Sequence, residues 1–525
     1  MKKIVTFIFA SAFVMLNCGL ATAQTPKITA KWETAPNENL QKNMHDFHFL
    51  DEDETSFYLL IQNKHPKKMW NTLPGKIFVE KYDKKTLKPV ERKEIICEVN
   101  PKPVFYRSIG EVYHIGGKAY IHIVGLSAIY RDGDKTSSFA RFDKKKMDIE
   151  LLSFSNVDFK ELKSVVATPD SSAYLFSFYK KDWNDKKNVN KPVCKLLLVD
   201  KDFNKIAQQD VTPNLVSHID FAIDNDWNIY ISGREYTDKN NYNYAILKYS
   251  GKNLEKPAGK MQLKDMLYQQ CRIFTDKNNV TFAVGFCTDK TDINKTGSFY
   301  FSLKNDLEQK ENFKFTAIPL NFLMYNHRLK GEPELIEKNK DDLRYAGYDI
   351  YDVLYADNGD VILCAEEYRG EWIAAGASNG RYYAAFHDIY VFRVNTSDGL
   401  KWVKRVPKFQ FDQLYGNDYL GNVAFLSGDD VVLLFNDNKD NVKLNENSVA
   451  AEAYGTTFAN ISVVLDKNGN QKRQIVNLGV SPKFNPNFIF HVRISNETIF
   501  VTQSKISMFP TKSSEYKLGI ISVGK

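Results

Sequence analysis

The stretch from Asp224 to Ser232 reads Asp-Asn-Asp-Trp-Asn-Ile-Tyr-Ile-Ser, a polar turn followed directly by a β-branched and aromatic run. Asp and Asn favour turns because their side chains bond the nearby backbone and because they tolerate a positive φ angle. Ile and Tyr are enriched in strands, where they pack well on a pleated surface. The stretch therefore predicts a strand that leaves a tight turn.

The same combination of polar turn and apolar run occurs eight times along the chain. The other seven copies lie at 51–60, 115–123, 168–176, 275–284, 356–364, 426–434 and 494–502. A second pattern alternates with the first: the apolar end of a strand meets a charged turn, as at Tyr82-Asp83 and Leu465-Asp466. Each period thus contains two hairpins, which makes four strands.

Four short antiparallel strands per period are typical of a β-propeller blade. We therefore predict an all-β fold, a β-propeller of eight four-stranded blades. The last period lacks an outer strand, and the alternating stretch Lys27–Glu33 is predicted to supply it and close the ring, which removes exposed edges. Seven blades with an irregular segment, or two stacked β-domains, are the alternative arrangements.

The first residues have the three parts of a secretory signal peptide. Lys2 and Lys3 form the basic start, an apolar run follows at 4–16, and small residues at 21–23 form a cleavage site. We expect residues 1–23 to be removed and the chain to be exported, to the periplasm or the outer cell surface of a Gram-negative bacterium. Residues 24–525 then form a single propeller domain, with insertions at about 319–347 and 366–386.

Composition excludes several classes of protein and partner. Apolar residues make up 43% of the chain and charged residues 26%, which is ordinary globular composition. The net charge of +7 is spread among interspersed Lys, Asp and Glu, so nucleic acid is not an expected partner. No stretch of the mature chain is long enough to span a bilayer. Cys18 suggests a lipoprotein, but Asn17 is not the small residue that usually precedes such a cysteine.

The cysteines are too few and too scattered for a disulfide framework or a zinc site. Cys97, Cys194 and Cys364 sit in or beside apolar runs, which predicts buried thiols. Cys271 and Cys287 flank one predicted hairpin turn, where a cross-strand disulfide is the alternative to two buried thiols.

Three segments resemble a family of exported bacterial propeller-like proteins: His387–Val394, Leu400–Lys408 and Leu433–Asn438. The likeness is strongest over residues 387–438 and elsewhere rests on the repeat rhythm. That family has no assigned activity, so the resemblance implies a propeller fold and supplies no functional residues. Quinone-binding propellers repeat a Gly-x-x-Trp motif, which occurs here once, at Gly399–Trp402. We therefore predict no cofactor.

The insertion at 366–386 is the first candidate for a binding surface, because long loops in compact folds are often functional. It places aromatic and arginine residues among Gly and Ala: Tyr368, Trp372, Arg381, Tyr382 and Tyr383. Such residues anchor protein partners, and aromatic faces also stack on sugars. A hairpin tip whose aromatics fold back on the blade is the alternative. The insertion at 319–347, with a short predicted helix, would add specificity or decorate the surface.

A second set of candidates lies on the predicted innermost strands, which line the central channel. The set comprises His114, His218, His491, Asp349 and Asp352. Converging imidazole and carboxylate groups could perform acid–base chemistry. Their spacing matches no metal-binding signature, so no metal site is predicted.

Two functions follow from these candidates. The first is a binding or scaffold module that holds an envelope protein or a glycan through loops on one face. The second is a polysaccharide lyase or glycoside hydrolase with its site at the channel mouth. The sequence contains no nucleophile elbow, Walker loop or dinucleotide fingerprint, so binding is favoured over catalysis.

Overall fold

The structure is a computed structural model of the chain. It describes residues 26–33, 44–64, 74–95, 106–126, 136–152, 162–180, 193–236, 242–318, 348–411 and 420–524. Shorter interruptions within these ranges lie at 116, 212–214, 216, 252, 265, 290–295, 304–306, 308–309, 376–378, 396, 453–457, 480–483 and 506–515. The predicted insertion at 319–347 and Cys97 lie outside the described residues.

The described residues form eight antiparallel sheets, each one blade of a β-propeller, as predicted. The N-terminal strand is β1 (Lys27–Trp32). The first blade comprises β2 (Met44–Glu52), β3 (Ser56–Lys64), β4 (Pro74–Asp83) and β5 (Pro89–Glu94). The second comprises β6 (Tyr106–Ile115), β7 (Lys118–Leu126), β8 (Thr136–Asp143) and β9 (Asp148–Leu152). The third comprises β10 (Leu162–Ala167), β11 (Ala173–Lys180), β12 (Val193–Asp200) and β13 (Lys205–Val211). The fourth comprises β14 (Ser217–Ile223), β15 (Asn228–Tyr236), β16 (Tyr242–Ser250) and β17 (Gly259–Leu263).

The remaining blades follow the same order. The fifth comprises β18 (Met266–Thr275), β19 (Thr281–Asp289), β20 (Thr296–Leu303) and β21 (Lys310–Ala317). The sixth comprises β22 (Tyr348–Tyr355), β23 (Asp360–Ala375), β24 (Asn379–Asn395) and β25 (Gly399–Val406), with β26 (Gln410–Phe411) added beside β24. The seventh comprises β27 (Asn422–Ser427), β28 (Asp430–Asn438), β29 (Phe458–Leu465) and β30 (Gln471–Ile475). The eighth comprises β31 (Phe484–Ser495), β32 (Thr498–Lys505) and β33 (Tyr516–Gly524), completed by β1.

The N-terminal strand closes the ring, which confirms the prediction from its alternating sequence. β1 pairs with β33 from Lys27 opposite Gly524 to Trp32 opposite Gly519. The Trp32 indole then donates at 2.7 Å to the carbonyl of Leu478, which follows the last strand of the seventh blade. The outer strand of the eighth blade therefore joins the two ends of the chain.

The turn at Asp224 shows why the repeated sequence pattern works. The Asp224 carboxylate accepts hydrogen bonds from the Asn228 backbone N–H at 2.8 Å and from the Tyr230 hydroxyl at 3.0 Å. Trp227 has a φ angle of 64°, and Asn279 has the same value in the corresponding turn of the fifth blade. The polar residues thus stabilise the turn that connects the first strand of a blade to its second strand.

The apolar core lies between consecutive blades. Val391 of the sixth blade and Leu433 of the seventh belong to one buried cluster, and every residue of β19 except its last is buried. The first strand of each blade lies innermost, where β22 contacts β18 and β27, and β2 contacts β6 and β31. These innermost strands line the channel.

Seven of the eight innermost strands contain a register shift against the second strand; β27 does not. In β22, Ile350 pairs with Ala365 and Asp352 with Cys364, so Tyr351 is the extra residue of a bulge. A bulge changes which side chains face the channel. Counting residues along an innermost strand therefore does not tell which of its side chains face the channel.

The described cysteines form no disulfide, and Cys194, Cys271, Cys287 and Cys364 are all buried. The strand register explains why no bridge joins the candidate pair. Cys271 lies opposite Gly285, whereas Cys287 lies opposite Tyr268. The alternative of a Cys271–Cys287 disulfide is therefore wrong.

Candidate functional site

The predicted insertion at 366–386 is a continuous two-stranded ribbon. β23 and β24 stay paired from Tyr368 opposite Phe386 to Ala375 opposite Asn379. The neighbouring strands stop earlier, since β22 pairs with β23 only as far as Glu367 and β25 begins its pairing with β24 at Ile389. At about 3.3 Å per residue, the ribbon extends roughly 25 Å beyond the four-stranded blade. We call residues 368–386 the ribbon.

The register of the ribbon groups the predicted binding residues. Trp372 lies opposite Tyr382, and Tyr368 lies opposite Phe386. Alternate residues of a strand share a face, so these four positions belong to one face. Arg381, opposite Ile373, and Tyr383, opposite Glu371, occupy positions on the other face. The fold therefore brings all five predicted residues into one element and divides them between its faces.

Buried charges hold the base of the ribbon. Lys408 is 1% exposed, and its ammonium group forms an ion pair with Glu366 and donates to Gln410 Oε1 at 2.7 Å. Its Nζ also lies 5.6 Å from the centre of the Phe386 ring. β26 pairs with Phe386 itself, which adds a third strand at the base. The ribbon therefore starts from a base that is held by a buried ion pair, a hydrogen bond and a third strand. We call this base the platform.

The loop that follows β28 lies beside this platform. Residues 439–452, here called the 439–452 loop, begin with a short 3-10 helix at Lys439–Lys443. Arg405 donates to the carbonyls of Glu446 and Ser448 at 2.9 Å each, and its Nε bonds Asp388 at 2.6 Å. Second and third strands of every blade are joined at the same face of a propeller ring. The ribbon and the 439–452 loop thus emerge on one face.

Asp437 lies near the end of β28, two residues before this loop, and is completely buried. Its Oδ1 accepts hydrogen bonds from Asn438 N at 2.8 Å and from Asn441 Nδ2 at 3.0 Å. Burial raises the pKa of the Asp437 carboxyl to about 7, against the opposing effects of these hydrogen bonds and of Lys408 and Arg473. Burial also lowers the pKa of Arg473 to about 10. Asp437 is therefore a titratable group beneath the loop.

In the channel, the structure brings two of the predicted residues together. Arg493 forms an ion pair with Asp352 and donates to the Ala424 carbonyl at 2.8 Å. His491 lies two residues before Arg493 on β31, and its Nδ1 contacts the Phe488 carbonyl at 2.7 Å. Burial lowers the pKa of His491, and Asp352 and Arg493 both act on it electrostatically. His491 and Asp352 therefore share one environment.

Two other predicted channel residues, Asp349 and His114, bond to groups outside this pair. Asp349 accepts a hydrogen bond from Gln270 Nε2 at 2.7 Å. His114 contacts the Phe49 carbonyl through Nε2 at 3.1 Å, and burial lowers its pKa. His218 is on β14, but its side chain lies outside the described residues. The four predicted residues whose side chains are described thus do not form one catalytic group.

Sequence reasoning missed the arginines of the channel. Arg272 bonds Asp220 at 2.9 Å and the Ile350 carbonyl at 3.1 Å, which links the innermost strands of three blades. Arg493 links β31 to β22 across the seventh blade. Both arginines lie on innermost strands, as the predicted His and Asp residues do. That shared position was the signal that could have identified them as channel residues.

Within the described ranges, no three His, Cys, Asp or Glu residues are grouped so as to hold a metal ion. Among the same residues we find no helix with the length and hydrophobicity that a membrane span requires.

No protein-family model and no curated protein matches the chain. Among solved structures, it is similar to the Dos1 propeller, at 12% identity, with 61% of this chain and 65% of that chain covered and a TM-score of 0.35. The β-propeller domain of the Trilobed protease from Pyrococcus furiosus is 9% identical, with 84% and 100% covered and a TM-score of 0.36. Porphyromonas gingivalis dipeptidyl peptidase 4 is 9% identical, with 89% and 56% covered and a TM-score of 0.39. The chain spans less than two thirds of the Dos1 and peptidase chains, and similarity at this level concerns the fold alone.

Proposed function

We propose that the protein is an exported binding module that holds an envelope protein or a glycan through the ribbon and the neighbouring 439–452 loop. The observation that carries this proposal is the uninterrupted pairing of β23 and β24 beyond the rest of the blade. An isolated two-stranded ribbon is only marginally stable in water. Its length and its aromatic positions are accounted for if a partner packs against it.

The composition of the ribbon supports the same function. The face that contains Tyr368, Trp372 and Tyr382 has Gly370 and Ala384 between the aromatic positions. Tyr and Trp supply large contact areas at low cost in conformational entropy. Small residues between them leave room for a partner to approach the backbone. The ring, with its buried base at Lys408, would present this surface in a fixed orientation.

The position of the chain in the cell belongs to the proposal as well. Residues 1–23 have the pattern of a secretory signal, so the ring would be released into the periplasm or presented on the outer surface. N-terminal sequencing of the purified protein tests this step, because cleavage after Ala23 leaves Gln24 as the first residue. An intact Met1 would contradict export by this route.

A second candidate function is carbohydrate cleavage in the channel, and the observation in its favour is that His491 lies two residues before Arg493, which pairs with Asp352. Hydrolysis of a glycosidic bond normally uses two carboxyl groups, one as acid and one as base or nucleophile. Here the Asp352 carboxylate is engaged by Arg493 and the Asp349 carboxylate by Gln270. These bonds favour binding over catalysis.

Cross-linking in the native envelope tests the binding function. The tagged protein is cross-linked, purified and analysed by mass spectrometry, in parallel with a Trp372→Ala/Tyr382→Ala double variant. Phe313→Ala is the matched control, since Phe313 is an exposed aromatic residue on the outer strand of the fifth blade. We expect a reproducible partner with the unmodified protein and the control, and its loss with the double variant. Equal recovery from all three proteins would remove the ribbon from consideration.

A further inference from the structure

Five polar residues on three innermost strands of the channel comprise two bonded pairs and a histidine two residues from one of them. They are Tyr351 and Asp352 on β22, Asn422 on β27, and His491 and Arg493 on β31. Besides the Arg493–Asp352 ion pair, the Tyr351 hydroxyl bonds the Asn422 side chain. We call these residues the channel cluster. The binding function of the ribbon does not use them.

The hydrogen bond at His491 fixes which ring nitrogen accepts. A backbone carbonyl can only accept, so Nδ1, at 2.7 Å from the Phe488 oxygen, carries the ring proton. Burial lowers the pKa of His491, which favours the neutral ring. Nε2 then has a lone pair, and no group in the described part of the chain donates to it. His491 therefore presents a hydrogen-bond acceptor.

Asp352 presents a second acceptor. Arg493 binds its Oδ2, and in the described ranges no donor bonds Oδ1. The guanidinium is also engaged by the Ala424 carbonyl, at 2.8 Å, which holds it in place. Since the carboxylate and the guanidinium neutralise each other, the pair carries no net charge. The channel cluster thus offers hydrogen-bond acceptors but no net charge that would attract an ion.

This combination selects one class of ligand. An anion would face the lone pairs of His491 and Asp352, and a cation would gain little from a carboxylate whose charge Arg493 already neutralises. A metal ion would need more ligands than the described residues group together. A neutral molecule with several hydroxyl donors meets neither obstacle, and Tyr351, which is 36% exposed, adds an aromatic surface for stacking. We propose that the channel cluster is a binding subsite for a neutral carbohydrate, whose hydroxyl groups donate to His491 Nε2 and Asp352 Oδ1.

Isothermal titration calorimetry of the full-length mature protein tests this subsite. The probes are glucose, galactose, mannose and N-acetylglucosamine, with acetate, methylammonium and zinc chloride as charged comparisons. We expect at least one sugar to bind and the charged probes not to bind. His491→Phe keeps an aromatic ring but removes the acceptor, so it should weaken sugar binding about fivefold or more. His491→Gln retains an acceptor oxygen and should recover part of the affinity, which separates lost hydrogen bonding from misfolding.

His114→Phe is the matched control, because His114 is a channel histidine of the second blade whose ring contacts the Phe49 carbonyl of the first blade, outside the channel cluster. It should leave the sugar affinity unchanged. Three results would overturn the subsite: no sugar binds the unmodified protein, a charged probe binds in place of the sugars, or His491→Phe binds as tightly as the unmodified protein. Sugar binding that is lost in the Trp372→Ala/Tyr382→Ala variant and kept in His491→Phe would assign it to the ribbon instead.

Discussion

Replacing Asp437 with Asn should make the protein more stable at alkaline pH, although a buried hydrogen-bonding residue is changed. The Asp437 Oδ1 atom accepts from Asn438 N and Asn441 Nδ2, and an asparagine oxygen can accept the same two bonds. Oδ2 is buried without a hydrogen-bond partner in the described residues. The substitution therefore removes a buried charge and keeps the bonds that hold the 439–452 loop.

The size and direction of the effect follow from proton linkage. Burial raises the pKa of Asp437 from 3.8 in the unfolded chain to about 7 in the folded protein. A raised carboxyl pKa stabilises the fold fully below about pH 4, and this contribution is lost as the pH rises through about 7. The loss amounts to about 4 kcal/mol, from 1.36 kcal/mol for each pH unit between the two pKa values. The amide that Asp437→Asn introduces does not titrate, so the variant escapes this loss.

Urea unfolding of both proteins from pH 4.5 to 8.5 measures the difference. The free energy of unfolding of Asp437→Asn, relative to the unmodified protein, should increase by about 3 kcal/mol across this range, because about 2.5 of the pH units between the two pKa values lie above pH 4.5. An unpaired amide costs about 1–3 kcal/mol at every pH, so it shifts the curve without changing its slope.

Asp466→Asn is the matched control with the opposite sign. Partial burial tends to raise the pKa of Asp466, but hydrogen bonds from Asn470 and the turn backbone lower it overall. A lowered carboxyl pKa stabilises the fold above the unfolded-state value and is lost on acidification. Asp466→Asn should therefore be less stable than the unmodified protein by a nearly constant amount from pH 4.5 to 8.5, and the difference should shrink only below about pH 4. Parallel pH profiles for Asp437→Asn and the unmodified protein would refute the reasoning, since they would mean that water reaches the Asp437 carboxylate.

Three further predictions concern the packing of the ring. Lys408→Met strands the buried Glu366 carboxylate and should lower the free energy of urea unfolding by about 3–5 kcal/mol; an unchanged midpoint would contradict a buried pair. Gly519→Ala would place a Cβ atom less than 3.0 Å from the Trp32 ring, so β1 should detach from β33. Limited proteolysis should then cleave the β1 segment of the variant and leave that of the unmodified protein intact. Burial raises the pKa of the Cys194 thiol to about 12, so iodoacetamide should label it only after denaturation, as mass spectrometry of the peptide can show.

The repeated pattern of turns and strands could be predicted from the sequence because it depends on contacts between residues that are close along the chain. The turn at Asp224 is stabilised by residues within six positions of it, and the strands that follow are defined by their own side chains. The alternation of Lys27–Trp32 likewise marks a strand wherever its partner lies. Blade number, four-stranded blades and the closing strand were therefore predictable without knowledge of distant contacts.

The ribbon shows where local patterns stop being informative. Its Gly, Ala and aromatic residues predicted a loop with a binding surface, but β23 and β24 remain paired through it after a register shift between Glu366 and Tyr368. The charges at its base, Lys408 and Glu366, look like surface residues in the sequence and are buried as a pair, because residues 42 positions apart meet there. Burial of a charge depends on its partner, which local sequence does not identify.

The sequence by itself determined the architecture of this protein and the residue types available at its centre. Only the tertiary structure decided which of those residues meet, because a bulge in β22 places Tyr351 as an extra residue and shifts the phase of Asp352. Asp352 is paired by an arginine 141 positions away, and His491 precedes that arginine by two residues on β31. The ring places the innermost strands of different blades next to each other around the channel. Which of their residues meet therefore depends on contacts between distant parts of the chain, and no short stretch of sequence contains that information.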